Sequence, residues 1–137
     1  MKRLICFFLI VFVLFSVFSV SSAEYPLSDK EKKFLGCWNM FANNGKGKIY
    51  NINIVFLDNM IVVQKSLTFE NGKLSSDNIA SGEWSGFTDN TVIFTLAGND
   101  MTAMIKDDGY LYLYFFDDFT LCGICSRCPD MTEVLGW

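Results

Sequence analysis

The chain contains no histidine, and this absence excludes several kinds of chemistry. Ser-His-Asp and Cys-His catalytic groups need an imidazole base, and imidazole nitrogen is a common metal ligand. Calcium-loop and phosphate-loop motifs are also missing from the sequence. The adjacent acids Asp107-Asp108 and Asp117-Asp118 are explained better by turn chemistry than by acid–base catalysis. We therefore expect a protein that is not an enzyme and that uses no metal ion or other cofactor.

Basic side chains are few, and they form no stripe. The chain has 11 Lys and Arg against 15 Asp and Glu, which gives a net charge of −4. An acidic surface repels phosphate backbones and anionic lipid headgroups. We therefore expect no nucleic-acid partner and no docking on a membrane surface.

The N-terminus has the pattern of a secretory signal peptide. Met1-Lys2-Arg3 precedes an apolar run from Leu4 to about Val20, and Ser21-Ser22-Ala23 forms a small-residue exit. Cleavage after Ala23 removes residues 1–23, including Cys6, and leaves 114 of the 137 residues with 9 basic and 15 acidic side chains, a net charge of −6. An uncleaved anchor is the alternative, since the run is near the lower length limit for spanning a bilayer. We expect one secreted or extracytoplasmic domain without stable membrane insertion after cleavage.

After the leader, a short helix precedes a series of strands. Ser28 and Glu31 form a capping-box pattern, which predicts two helical turns that end near Gly36. Period-two segments separated by Asn, Asp and Gly turns then predict eight strands. Their approximate ranges are 38–42, 48–56, 61–69, 73–76, 81–87, 91–97, 101–106 and 110–116.

Alternation within the strands predicts which face is buried. In the third strand the apolar face is predicted to carry Ile61, Val63, Leu67 and Phe69, interrupted by Lys65 at a bulge or a barrel mouth. In the last predicted strand the leucines are expected inside. Tyr110, Tyr112 and Tyr114 are expected to form an outer aromatic stripe.

A Gly-x-Trp triplet occurs twice, as Gly36-Cys37-Trp38 and Gly82-Glu83-Trp84. Small barrels place glycine where a strand bends and tryptophan where a large ring plugs the base, so Trp38 and Trp84 are predicted plugs. The fold class predicted is all-β, an eight-stranded antiparallel up-and-down barrel with a short N-terminal helix over residues 24–116. A cysteine-rich tail, residues 117–137, is expected to pack on it.

Residues 28–116 resemble the compact lipocalin-like domains of secreted bacterial proteins, within the calycin group. The resemblance rests on the short helix, on Leu35-Gly36-Cys37-Trp38-Asn39, and on the second Gly-Glu-Trp-Ser segment at the middle of the meander. Streptavidin-like barrels and secreted protease-inhibitor barrels begin in the same way. The resemblance implies a barrel without catalytic residues that binds an apolar small molecule or another protein.

Two functions follow from such a barrel. One is a binding protein for a small apolar molecule, with Tyr50, Lys65, Trp84 and Met104 as candidate wall or mouth residues. The other is a packed barrel that contacts a secreted protein, as an interaction or inhibitor module, through its rim and the tyrosine stripe. Strands of six to nine residues make the interior shallow, so side chains can fill much of it.

Four cysteines remain after processing: Cys37, Cys122, Cys125 and Cys128. In an oxidising compartment they are expected to form two disulfides, and three connectivities are possible. We prefer one long bridge from Cys37 to the tail and one local bridge. A tetrahedral zinc site and a redox-active pair or cluster are the alternatives for Cys-x-x-Cys-x-x-Cys.

Overall fold

The computed structural model describes residues 26–128. The predicted signal peptide, residues 1–23, and the tail from residue 129 lie outside the described residues. Within 26–128, no helix combines the length and the apolar character needed to cross a bilayer.

One short helix is followed by eight antiparallel strands that close into a barrel. The elements are helix α1 (Asp29–Lys32) and strands β1 (Gly36–Asn43), β2 (Lys48–Phe56), β3 (Ile61–Glu70), β4 (Lys73–Thr88), β5 (Thr91–Leu96), β6 (Asn99–Ile105), β7 (Leu111–Phe115) and β8 (Leu121–Arg127). Each strand pairs with its neighbour in sequence, and the pair Trp38 and Arg127 joins β1 to β8. The predicted fold class is confirmed.

Helix α1 is shorter than the two turns predicted. The capping box is present, because the Ser28 backbone N–H donates to Glu31 Oε2 at 2.8 Å and the Glu31 N–H donates to Ser28 Oγ at 3.3 Å. After Lys32 the chain continues in tight turns until Gly36, whose φ of +103° suits glycine and starts β1.

The count of eight strands is correct, but two assignments were wrong. The predicted strands 73–76 and 81–87 are one strand, β4, because the Ser76-Asp77-Asn78 stretch pairs continuously with β3 in spite of its turn-forming residues. The eighth strand is β8, in the segment interpreted as a cysteine-rich tail. Pairing with β7 and β1 makes β8 a strand, and its own sequence does not alternate clearly.

The buried face of β3 is the reverse of the prediction. Register places Val62 opposite Phe56 and Gln64 opposite Ile54, and both of these β2 residues are buried in the core. Val62, Gln64, Ser66 and Thr68 therefore face inward, and Lys65 lies on the outer face without a bulge at its position. Both faces of β3 carry apolar residues, so only the pairing with β2 decided between them.

Aromatic rings fill the end of the barrel that carries α1. Phe56 is at the centre, with its ring centroid 6.3 Å from that of Phe34, 5.4 Å from Trp84 and 5.6 Å from Phe94, all in edge-to-face geometry. These four residues and Trp38 are each no more than 3% exposed. We call this set the aromatic floor. Its packing leaves this end of the interior closed.

The second Gly-x-Trp triplet marks the point where β4 changes partners. Up to Glu83 the strand pairs with β3, and from Trp84 onward it pairs with β5. A Cβ atom on Gly82 would lie 1.7 Å from the carbonyl oxygen of Thr95. Only glycine allows this close approach of β4 to β5, which supports the predicted bend.

Candidate functional site

Arg127 closes the barrel end beside the aromatic floor. Its guanidinium carbon lies 4.2 Å from the centroid of the Trp38 ring. Its Nη1 donates to the Leu35 carbonyl at 2.8 Å and its Nη2 to the Lys33 carbonyl at 2.5 Å. Trp38 in turn donates its indole N–H to the Phe34 carbonyl at 2.9 Å. One β8 side chain therefore fastens the start of β1 and the end of the helical segment.

The opposite side of α1 is fastened to β4 and the β4–β5 turn. Glu31 Oε1 accepts the Gly86 N–H at 3.2 Å, and Lys33 Nζ donates to the Asn90 side chain at 2.5 Å. Lys30 forms an ion pair with Asp89. Hydrogen bonds from Ser28, with a smaller contribution from Gly86, lower the pKa of Glu31. The helix is thus held across the barrel base as a structural cover.

A recess of about 360 Å³ lies beside the bend of β4. Trp84, Phe94 and Met101 contribute to it from inward-facing positions, and Phe116 contributes from the segment after β7. Five further lining residues alternate outward on β4, β5 and β6: Glu83, Ser85, Ile93, Thr95 and Asp100. Because residues from both faces of the sheet line the recess, it lies where β4 changes its pairing from β3 to β5.

The chemistry of the recess is apolar with an acidic edge. Trp84 donates its indole N–H to the Leu57 carbonyl at 2.9 Å, so its polar atom is already satisfied. Phe116 is 39% exposed and presents a ring on the open side. The Thr95 hydroxyl donates to Asp100 Oδ1 at 2.8 Å, which holds that carboxylate near the Phe116 backbone, whose N–H donates to the Asp100 carbonyl.

Of the four residues predicted to contact a ligand, Trp84 lines the recess. Tyr50 is half-buried on the inner face of β2, opposite Thr68. Lys65 is on the outer face of β3, and Met104 is on the outer face of β6 between Thr91 and Tyr112. The structure does not bring these three to the recess.

Phe116 is one of the eight recess residues that the sequence did not predict, and a signal for it existed. Phe115 and Phe116 are adjacent at the end of a strand, so they cannot both point inward. Phe115, Phe116, Phe119 and Leu121 are all at least 39% exposed, and the rings of Phe116 and Phe119 lie 6.4 Å apart. Phe119 has a φ of +53°, which is uncommon for an aromatic residue. We call these four residues the aromatic loop.

The tyrosine stripe has two members, Tyr112 and Tyr114, on β7, and Tyr110 directly precedes that strand. Leu111 and Leu113 are buried, whereas Tyr112 and Tyr114 are half-buried on the outer face and Tyr110 is 46% exposed. Lys106 Nζ lies 3.9 Å from the Tyr112 ring centroid. The Tyr112 hydroxyl donates to Asp108 Oδ2 at 2.7 Å, which raises the pKa of Tyr112. The stripe therefore carries charged neighbours of both signs.

The cysteines are divided between the two faces of the sheet. Cys37 and Cys128 are adjacent on the outer face, where the Cys128 N–H donates to the Cys37 carbonyl at 2.8 Å. Cys125 points inward among the core residues, and Cys122 lies at the β7–β8 bulge. Burial, followed by the nearby Cys128 thiol, raises the pKa of Cys37 to about 12. Burial raises the pKa of Cys125 to about 12 as well.

The four described thiols are free, without a sulfur pair at bonding distance. Residues along an extended strand rise about 3.3 Å each, so cysteines three apart on β8 have Cα atoms about 10 Å apart, beyond the roughly 7 Å limit for a disulfide. Each of the three two-bridge connectivities joins two of Cys122, Cys125 and Cys128, which are three or six residues apart. The strand geometry therefore leaves room for one intramolecular disulfide, whereas two were expected. Among residues 26–128, no group of three or more potential metal ligands is arranged around a common centre.

The geometry defines a closed eight-stranded antiparallel barrel that is compatible with a lipocalin-like fold. The chain matches no family model, and neither a curated protein nor a solved structure matches it.

Proposed function

We propose that this protein is a secreted, non-enzymatic binding protein of lipocalin-like, calycin type, and that it holds a small apolar molecule in the recess beside β4. The observation that carries this proposal is the recess itself, about 360 Å³ in volume, next to the buried rings of Trp84 and Phe94. Ligand sites in proteins usually span about 300–1,000 Å³ and combine apolar walls with a few polar groups. The recess has that size and composition.

The wall combines a rigid side with an adaptable side. Trp84 and Phe94 are fixed by the aromatic floor, so they offer a preorganised apolar surface. Met101 has a flexible thioether that can adjust to different ligand shapes. Phe116 belongs to the exposed aromatic loop and offers its ring to a bound molecule from the open side of the recess. A ligand would then bury apolar surface on several sides.

The leader sequence supports the proposed export, and the first and last elements of the barrel support the proposed family type. The pattern of residues 1–23 favours an exported, cleaved chain. The helix, the Gly36-Cys37-Trp38 opening and the closure by Arg127 support a calycin-type barrel, since they join its beginning to its last strand.

Binding of a neutral fluorescent probe such as N-phenyl-1-naphthylamine to residues 24–137 tests the proposal. We expect saturable binding that is weakened by Phe116→Ala. Phe87→Ala is the matched control, because Phe87 is 61% exposed but does not line the recess. Equal binding by both variants, or no saturable binding, would contradict the proposal. Mass spectrometry after incubation with a lipid extract would identify a retained compound.

A second candidate function is recognition of a secreted protein through the rim and the tyrosine stripe. It is favoured by the aromatic loop, in which Phe119 is 62% exposed. Aromatic side chains dominate binding energy at protein interfaces. The tagged protein should then recover a protein from the secreted fraction, and Phe119→Ala with Tyr110→Ala should abolish the recovery.

We also propose that Cys37 and Cys128 form one disulfide after export. Both side chains are on the outer face, and the backbone hydrogen bond holds them side by side. An exported thiol-oxidising protein disulfide would take two electrons and two protons from the pair and be reduced to two thiols. After alkylation under denaturing conditions, mass spectrometry should find Cys37 linked to Cys128, with Cys122 and Cys125 modified. Four modified cysteines would refute this.

A further inference from the structure

The charged side chains that line the recess are all acidic. Its described lining contains two carboxylates, Glu83 and Asp100, and no lysine or arginine. The two ion pairs found among the described residues involve Lys30 and Lys32, on α1, so neither recess carboxylate is neutralised by one. A ligand in this recess would therefore meet negative charge at its outward edge.

The aromatic side chains that line the recess also favour a positively charged ligand. The face of an aromatic ring is the negative end of its quadrupole and attracts cations. The described part of the barrel already uses that interaction, most closely with Lys106 over Tyr112 at 3.9 Å and Arg127 over Trp38 at 4.2 Å. In the recess, Trp84, Phe94 and Phe116 provide aromatic surface without a described cation over their rings.

We propose that the recess selects small organic cations, such as aromatic or alkyl amines and quaternary ammonium compounds, over neutral or anionic molecules of the same shape. This inference rests on the proposed function, since it names the ligand class of the same site. The apolar part of the ligand packs against Trp84, Phe94 and Met101. Its charged group lies toward Glu83 and Asp100, where it can also contact the Phe116 ring.

The expected selectivity is moderate, because the carboxylates are at an open edge. The cation would interact with one exposed ring and with two carboxylates that solvent screens. These contacts should make it bind about tenfold more tightly than an uncharged molecule of the same shape. The excess of acids over bases in the mature chain also raises the local concentration of cations, and this contribution falls with salt.

Benzyltrimethylammonium and neopentylbenzene form a suitable ligand pair, because they differ by a nitrogen cation in place of a carbon. Phenylacetate serves as an anionic compound. Dissociation constants are measured by displacement of the neutral probe from wild type, from Glu83→Gln with Asp100→Asn, and from Glu70→Gln with Asp77→Asn. The last double variant removes the same charge at exposed positions outside the recess. Circular dichroism verifies that the variants are folded.

We expect the cation to bind wild type about tenfold more tightly than the neutral compound, and phenylacetate to bind most weakly. The preference should fall toward onefold in the Glu83 and Asp100 variant and persist in the control variant. Equal or tighter binding of the neutral compound by wild type would overturn the inference and leave the proposed function standing. An unchanged preference after removal of both recess charges would also overturn it. If the probe and both compounds fail to bind, the proposed function and the inference fall together.

Discussion

Removal of the Arg127 side chain tests how the barrel is closed. Arg127→Met keeps an aliphatic stem over Trp38 but removes the guanidinium and both hydrogen bonds to the Lys33 and Leu35 carbonyls. Each charge-assisted bond at this exposed position contributes about 1 kcal/mol, and the cation–π contact about 0.5–1 kcal/mol. Water can solvate the freed carbonyls, so we expect a loss of about 2–3 kcal/mol in the free energy of unfolding.

Urea denaturation of the mature protein, followed by tryptophan fluorescence, measures this loss. For a domain of this size the melting temperature should fall by about 10 °C. Arg127→Lys keeps the charge but lacks the planar fork that reaches two carbonyls, so it should recover less than half of the loss. Lys46→Met removes a cation from an exposed turn and should change stability by less than about 0.5 kcal/mol. The reasoning is refuted if Arg127→Met behaves like Lys46→Met, or if Arg127→Lys equals wild type.

Three further predictions concern the core, the bend and the buried thiol. Phe56→Ala should lower the free energy of unfolding in urea by about 3–5 kcal/mol, whereas Phe87→Ala, at an exposed ring, should change it by less than about 0.5 kcal/mol. Gly82→Ala should lower the melting temperature by an amount equivalent to about 1–3 kcal/mol, because its Cβ would overlap the Thr95 carbonyl; an unchanged melting temperature would contradict the bend. Burial raises the pKa of Cys125 from 9.0 to about 12, so its neutral thiol stabilises the fold fully below pH 9, and this contribution is lost as pH rises toward 12. Cys125→Ala should therefore lose less stability than wild type between pH 9 and 12 in parallel urea titrations, and equal slopes would show that this thiol does not ionise on unfolding.

Sequence periodicity predicted strands well where it was unambiguous. The predicted range 48–56 is confirmed as β2, in which Ile52, Ile54 and Phe56 share one face and Asn51 and Asn53 lie on the other. Asn71-Gly72 predicted a hairpin, and both residues adopt positive φ there, 51° and 77°. These features depend on local side-chain alternation and on backbone preferences, which a sequence states directly.

The sequence did not predict features that depend on contacts between neighbouring strands, such as the buried face of β3 and the continuity of β4. Val62 and Val63 are equally apolar, so the face of β3 depended on which of them met Phe56. Polar residues in β4 suggested a break, but hydrogen bonds to β3 hold them in a continuous strand. The recess combines Trp84 with Met101 and Phe116 because β4, β6 and the segment after β7 meet there, and no spacing along the chain shows that meeting.

The sequence by itself determined the all-β antiparallel class, the capped helix at its start and the glycine bends, because these follow from local periodicity, capping chemistry and permitted φ angles. Only the tertiary structure decided that β8 closes the barrel, that Arg127 fastens it over Trp38, and that Cys128 lies beside Cys37. Each of these depends on the register between the first and last strands. Residues about 90 positions apart in sequence become neighbours there, and no local pattern in the chain encodes that pairing.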